Sequence, residues 1–93
     1  MYENLRFYGF ADFVLYDLGL KQQGWKWRWS SPPSICIKEA KSIWISDTFK
    51  HTLFPYQVEI FLHEVAHVWE HDHGQQFFNT LGDLFKRYSY LME

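Results

Sequence analysis

The chain has 93 residues, a formal net charge of −2 and a sequence pI of about 6.2, so composition offers no bulk electrostatic footprint for nucleic acid or an anionic membrane surface. Its one cysteine, Cys36, excludes an internal disulfide and a Cys-x-x-Cys zinc ribbon, and the most apolar stretch, Phe10 to Leu18, is broken by Asp12 and Asp17, which excludes a membrane span. Aromatic residues make up 22% of the chain, enough to fill the core of a single domain spanning 1–93, and the lack of a basic-then-apolar pattern at Met1 to Arg6 points to the cytoplasm.

Residues 4 to 18 set Phe7, Phe10, Ala11, Val14 and Leu18 at helical spacing, and Gly19 and Gly24 offer a stop, which predicts a first amphipathic helix. From Trp25 the period changes to two. Trp25, Trp27 and Trp29 alternate with Lys26 and Arg28, as in a strand with its tryptophans inward and its cations outward. Ser30-Ser31-Pro32-Pro33 ends that run as a loop, because proline cannot donate to a strand ladder. Ile35-Cys36-Ile37 and Ile43-Trp44-Ile45 read as two further strands joined by a turn at Lys38 to Lys41. Together the three runs predict a small antiparallel sheet.

Pro55 suits the first turn of a helix, where its missing N–H costs nothing, and the apolar spacing carries that helix to about Glu70 or His71. Val58, Phe61, Leu62, Val65 and Trp69 fall on one side of it and Ile60, His63, Glu64, His67 and His71 on the other. A last helix, roughly Gln75 to Tyr90, carries Phe77, Phe78, Leu81, Leu84, Phe85 and Tyr88 on one stripe. The fold class is α+β: an N-terminal helix, a sheet of about three antiparallel strands, a histidine-bearing helix and a C-terminal helix.

The chemistry concentrates at His63-Glu64-Val65-Ala66-His67, an H-E-x-x-H core followed by His73. Residues four apart on a helix share a face about 6 Å apart, so His63 and His67 can grip one ion while Glu64 leans over its rim. His73, with Gly74 after it to permit a turn of the backbone, supplies a third nitrogen. Three nitrogen ligands leave one corner of a Zn2+ coordination sphere to water, which Glu64 is placed to deprotonate. His71 competes for the third place, but on a straight helix it stands about 12 Å from His63, which leaves it a rim residue. His51 reads as a surface histidine.

These stretches, Ile43-Trp44-Ile45-Ser46, Pro55, the H-E-x-x-H core and His73-Gly74-Gln75-Gln76-Phe77, resemble the SprT-like group of zinc metallopeptidases and their YgjP and WLM relatives. Trp29-Ser30-Ser31 is similar to a Trp-Gly-Ser that precedes the hairpin in the YgjP type. The resemblance implies a zincin-like fold with His63, His67 and His73 on zinc, Glu64 as general base and Phe77 anchoring the last helix. It also implies that Ile43 to Ser46 is an edge strand along which a protein or peptide substrate lies extended. Some SprT-like proteins act on proteins crosslinked to DNA, and the local candidate for such contact is Trp25 to Trp29 with Lys21, Lys26 and Arg28.

Two other functions fit the same residues. The YbeY family of metal-dependent endoribonucleases has three histidines at this relative spacing with Asp before the last, as Asp72-His73 stands here, but glycine where this chain has Glu64. A carboxylate beside the first ligand is what amide hydrolysis needs, which favours the peptidase. The remaining alternative is a non-catalytic, zinc-stabilised domain that binds extended peptides without cutting them.

Overall fold

A computed structural model describes residues 2–92, with side chains from Leu5 onward; Met1 and Glu93 lie outside it. Helix α1 (Tyr2–Asp17) buries Phe7, Phe10, Ala11 and Val14 as the spacing predicts, together with Leu15, while Leu18 is half-buried. It stops where expected. Gly19 takes a φ of +75°, which a residue with a Cβ resists. The N–H of Leu20 then reaches the Leu15 carbonyl at 2.9 Å and that of Gly19 the Tyr16 carbonyl at 3.0 Å, pairing carbonyls the helix end would otherwise leave open.

Strands β1 (Lys26–Ser30), β2 (Ile35–Ile37) and β3 (Ser42–Ser46) form one sheet in the order β1-β3-β2. The β2–β3 hairpin is antiparallel as predicted, with Cys36 opposite Ile43 and the Lys41 N–H closing the turn onto the Lys38 carbonyl at 3.1 Å. β1, however, runs parallel to β3, with Lys26 opposite Ser42 and Ser30 opposite Ser46, so the sheet is mixed and not antiparallel. The loop after β1 carries the chain past the place β3 will take, and the hairpin returns β3 up the middle. In the resulting register Trp27 lies beside Ile43 and Trp29 beside Ile45, so four apolar side chains share one face. A consequence is that Ile43 to Ser46 belongs to the central strand; the edge next to the histidines is β2.

The helices cover that apolar face. Phe7 of α1 meets the rings of Trp27, Trp29 and Phe61 at centroid distances of 5.0, 5.3 and 5.5 Å, linking both layers in one aromatic cluster. The pairs with Trp27 and Phe61 are edge-to-face, an arrangement that adds about 0.5–1.5 kcal/mol each beyond the buried area. Helix α2 (Phe54–Ala66) has Pro55 in its first turn and buries Val58, Phe61, Leu62 and Val65. It ends well short of Glu70, which leaves Trp69 45% exposed and not in the core. Helix α3 (Gln75–Tyr88) buries Phe77, Leu84 and Tyr88, half-buries Leu81 and Phe85 and leaves Phe78 exposed; Ser89 to Met92 continue as a 3₁₀ turn. Among the described residues no helix is long and apolar enough to cross a membrane.

The first and last helices are tied at their C-terminal ends by Asp17. Its Oδ2 accepts from Arg87 Nε at 2.9 Å and from the Tyr88 hydroxyl at 2.8 Å, and these two hydrogen bonds hold the carboxyl below its ordinary value. A carboxyl lowered in the folded state contributes stability above its unfolded value of about 4 and loses it as pH falls through the folded value. Asp17→Asn should therefore lower the melting temperature at pH 7 and weaken the dependence of melting on pH below about 4, as thermal melts of the two proteins across that range would measure.

Candidate metal centre

Helix α2 delivers His63 from its last turn and His67 as its C-cap, and the way it ends brings in the third histidine. The N–H groups of Val68 and Trp69 bond three residues back, to Val65 and Ala66 at 2.9 and 3.2 Å, a 3₁₀-type tightening of the last turn. The Glu70 carbonyl, which a longer helix would offer to Gly74, accepts instead from the ring Nδ1 of His67 at 2.9 Å. Residues 71 to 73 then swing back over the helix end. Gly74 has φ −89° and ψ −167°, extended backbone open to any residue, so the expected glycine turn is not what returns His73. Gly74 serves instead as N-cap of α3, its carbonyl accepting from Phe78 at 3.2 Å.

The result is a convergence of three imidazoles. His73 Nε2 lies 3.1 Å from His67 Nε2 and 3.2 Å from His63 Nε2, and one ligand atom from each ring falls within 4.8 Å of the others. Nitrogens bound to one tetrahedral zinc at 2.0–2.1 Å would stand about 3.3 Å apart, so the two short edges have the size of a coordination sphere. The protonation pattern agrees. With the His67 proton on Nδ1, its Nε2 is a lone pair, and a single proton on His73 cannot satisfy both neighbours. Burial, and then the neighbouring His67 and His73, push the His63 pKa down, which keeps that ring neutral and able to ligate. These three residues can hold a metal ion.

Phe77 forms the floor of the site. Fully buried in the first turn of α3, its ring lies 4.9, 4.6 and 4.8 Å from the rings of His63, His67 and His73. The sequence marks Phe77 as a core anchor, but its contact with all three imidazoles depends on how α3 packs against α2.

Glu64 projects beside the triad and is only 6% exposed; burial pushes its carboxyl up to about 7. A cation on the histidines would favour the charged form. Glu64 and the triad open into a cleft of about 390 Å³ whose opposite wall is β2 and its turn, including Ser34, Cys36 and Lys38. Sequence spacing could not link that hairpin to the histidines, because only the sheet order brings them together. Burial, and next the Glu64 carboxylate, push the Cys36 thiol up to about 11.

His71 also lines the cleft, but from the turn after α2 and not as a further step along the helix; the rim position stands although its geometric basis changes. His51 is exposed and away from the cleft. Tyr88, on the apolar stripe of α3, is buried against Asp17 and away from the cleft. The tryptophans considered as a stacking surface for DNA turn inward: Trp25 is 8% exposed, and Trp27 and Trp29 pack on Phe7. Arg28 lies on the opposite face of the sheet, 4.3 Å above the Trp44 ring.

No family model, curated protein or solved structure matches the chain.

A ligand set of His63, His67 and His73 predicts that zinc at one hundred times its Kd stabilises the protein by about 2.7 kcal/mol. Melts with and without zinc should show this gain in the parent chain and in His71→Ala and His51→Ala. It should vanish in His63→Ala, His67→Ala and His73→Ala.

Proposed function

We propose that this protein is a zinc metallopeptidase, a zincin-like, SprT-like domain that hydrolyses peptide bonds in extended or unfolded protein segments. The observation that carries the reading is the convergence of three imidazole nitrogens beside the buried carboxylate of Glu64, at the mouth of a cleft bounded by a sheet edge. Zinc bound by His63, His67 and His73 would supply Lewis acidity towards water and the scissile carbonyl.

The remaining work falls to the chain's own groups. Glu64 takes the proton of the attacking water and passes it to the leaving amine, a two-way transfer open to a carboxyl that stands beside both groups. The hydrogen bond from His67 Nδ1 to the Glu70 carbonyl fixes the tautomer that points Nε2 into the site. β2 is the sheet edge on the cleft, and its unpaired backbone groups would hold a substrate strand by main-chain hydrogen bonds. That role passes to Ile35–Ile37 from Ile43–Ser46, which sits between two neighbours and has no edge to offer. Lys38 and His71, both on the cleft wall, are the groups able to stabilise developing negative charge.

The presence of Glu64 favours amide over RNA cleavage, and one assay separates the two. The zinc-loaded protein should cut an unstructured protein substrate. Glu64→Gln should lower that rate by about 10²–10⁴-fold with zinc content unchanged. Cleavage of RNA by both proteins, with neither cutting the polypeptide, would overturn the peptidase reading.

A further inference from the structure

The far side of His63 carries a second, smaller recess. Tyr56, Glu59, Ile60 and His63 recur at i, i+3, i+4 and i+7 and so form one stripe of α2, and Phe49 of the 3₁₀ turn Asp47–Phe49 closes the recess from the side. We propose that this recess receives one side chain of the substrate beside the scissile bond and that Glu59 selects a basic residue there. The inference rests on the peptidase reading, since it is the metal centre that makes the recess a subsite.

Size and lining lead to this assignment. The recess measures about 160 Å³, below the roughly 300–1,000 Å³ of sites that enclose whole small molecules, so it suits a single side chain. His63 walls both the recess and the larger cleft, so an extended chain held at the triad has a neighbouring side chain within reach of it. Phe49, Tyr56 and Ile60 offer apolar surface for a methylene stem, and Glu59 is the one carboxylate in the lining. Among the described residues no hydrogen bond or ion pair engages that carboxylate. An aliphatic stem with a cationic end matches this combination, because the stem lies on the apolar walls while the charge stays at the wet mouth beside Glu59.

The wall is set before any substrate arrives. Gln57, fully buried on α2, donates through Nε2 to the Phe49 carbonyl at 2.9 Å and to the Lys50 carbonyl at 3.3 Å, pinning the turn that carries Phe49. A preformed wall spares the ordering cost of binding. Since the recess is open to solvent, the charge selection is modest, about two- to five-fold, the range of an exposed ion pair.

Binding tests the assignment without turnover. Zinc-loaded protein carrying Glu64→Gln is titrated with end-capped alanine-X-alanine tripeptides in which X is lysine, norleucine or glutamate, with binding followed by calorimetry and by the NMR signals of Phe49 and Ile60. The lysine peptide should bind two- to five-fold tighter than the norleucine peptide, the glutamate peptide weakest, and the Phe49 and Ile60 signals should move. Adding Glu59→Gln should erase the difference between lysine and norleucine while norleucine binding persists. Equal binding of lysine and norleucine, a lysine preference that survives Glu59→Gln, unmoved Phe49 and Ile60 signals, or no binding at all would overturn the proposal. Cleavage of unstructured protein by the parent chain tests the peptidase reading separately. Cutting without a lysine preference in these titrations removes only the recess, and a lysine preference without any cutting removes the enzyme and leaves the recess as a peptide-binding pocket, not a subsite beside a scissile bond.

Discussion

The hydrogen bond from the His67 ring to the Glu70 carbonyl, 2.9 Å long, is the interaction on which the site depends. It takes the acceptor that one more helical turn would have used and so favours a tight turn where the apolar spacing alone would continue α2. It also settles which nitrogen of His67 carries the proton, leaving Nε2 as the lone pair that faces the other two rings. Without that early stop, residue 73 would be carried on along the helix axis, away from His63. Ligand geometry and helix termination are thus two effects of one contact.

Phe77 couples this arrangement to the rest of the fold. Its ring touches all three imidazoles from the first turn of α3, and α3 is tied at its other end to α1 through Asp17, Arg87 and Tyr88. The donors are therefore braced from below by a core side chain and not only by their own backbone. In a chain of 93 residues, where the buried core is small, an ion on these donors would add to folding stability.

The sheet decides what stands opposite the donors. Because β1 takes the far side of β3 in a parallel register, β2 is left as the edge beside the cleft, bringing Ser34, Cys36 and Lys38 to face Glu64 and the triad. The same register turns Trp27 and Trp29 onto Phe7 and sends Lys26 and Arg28 to the other face. A tryptophan-and-cation surface legible in the sequence is thereby split between core and solvent.

What the amino-acid sequence determines here is local. Spacing at i and i+4 places His63, Glu64 and His67 on neighbouring positions of a helix, alternation at Trp25 to Trp29 marks an inward stripe, and Gly19 ends α1, because these follow from backbone periodicities and the freedom of a residue without a Cβ. That His73 can join His63 and His67 was also legible, through its distance along the chain, and the structure brings its Nε2 within 3.2 Å of both rings, though the turn owes nothing to Gly74. Only the tertiary structure decided strand order, the early end of α2, the exposure of Trp69 and Phe78, and the meeting of Phe77 with three histidines. Those outcomes rest on contacts between segments far apart in sequence, where competing pairings have similar local propensities and burial of the shared apolar face selects among them.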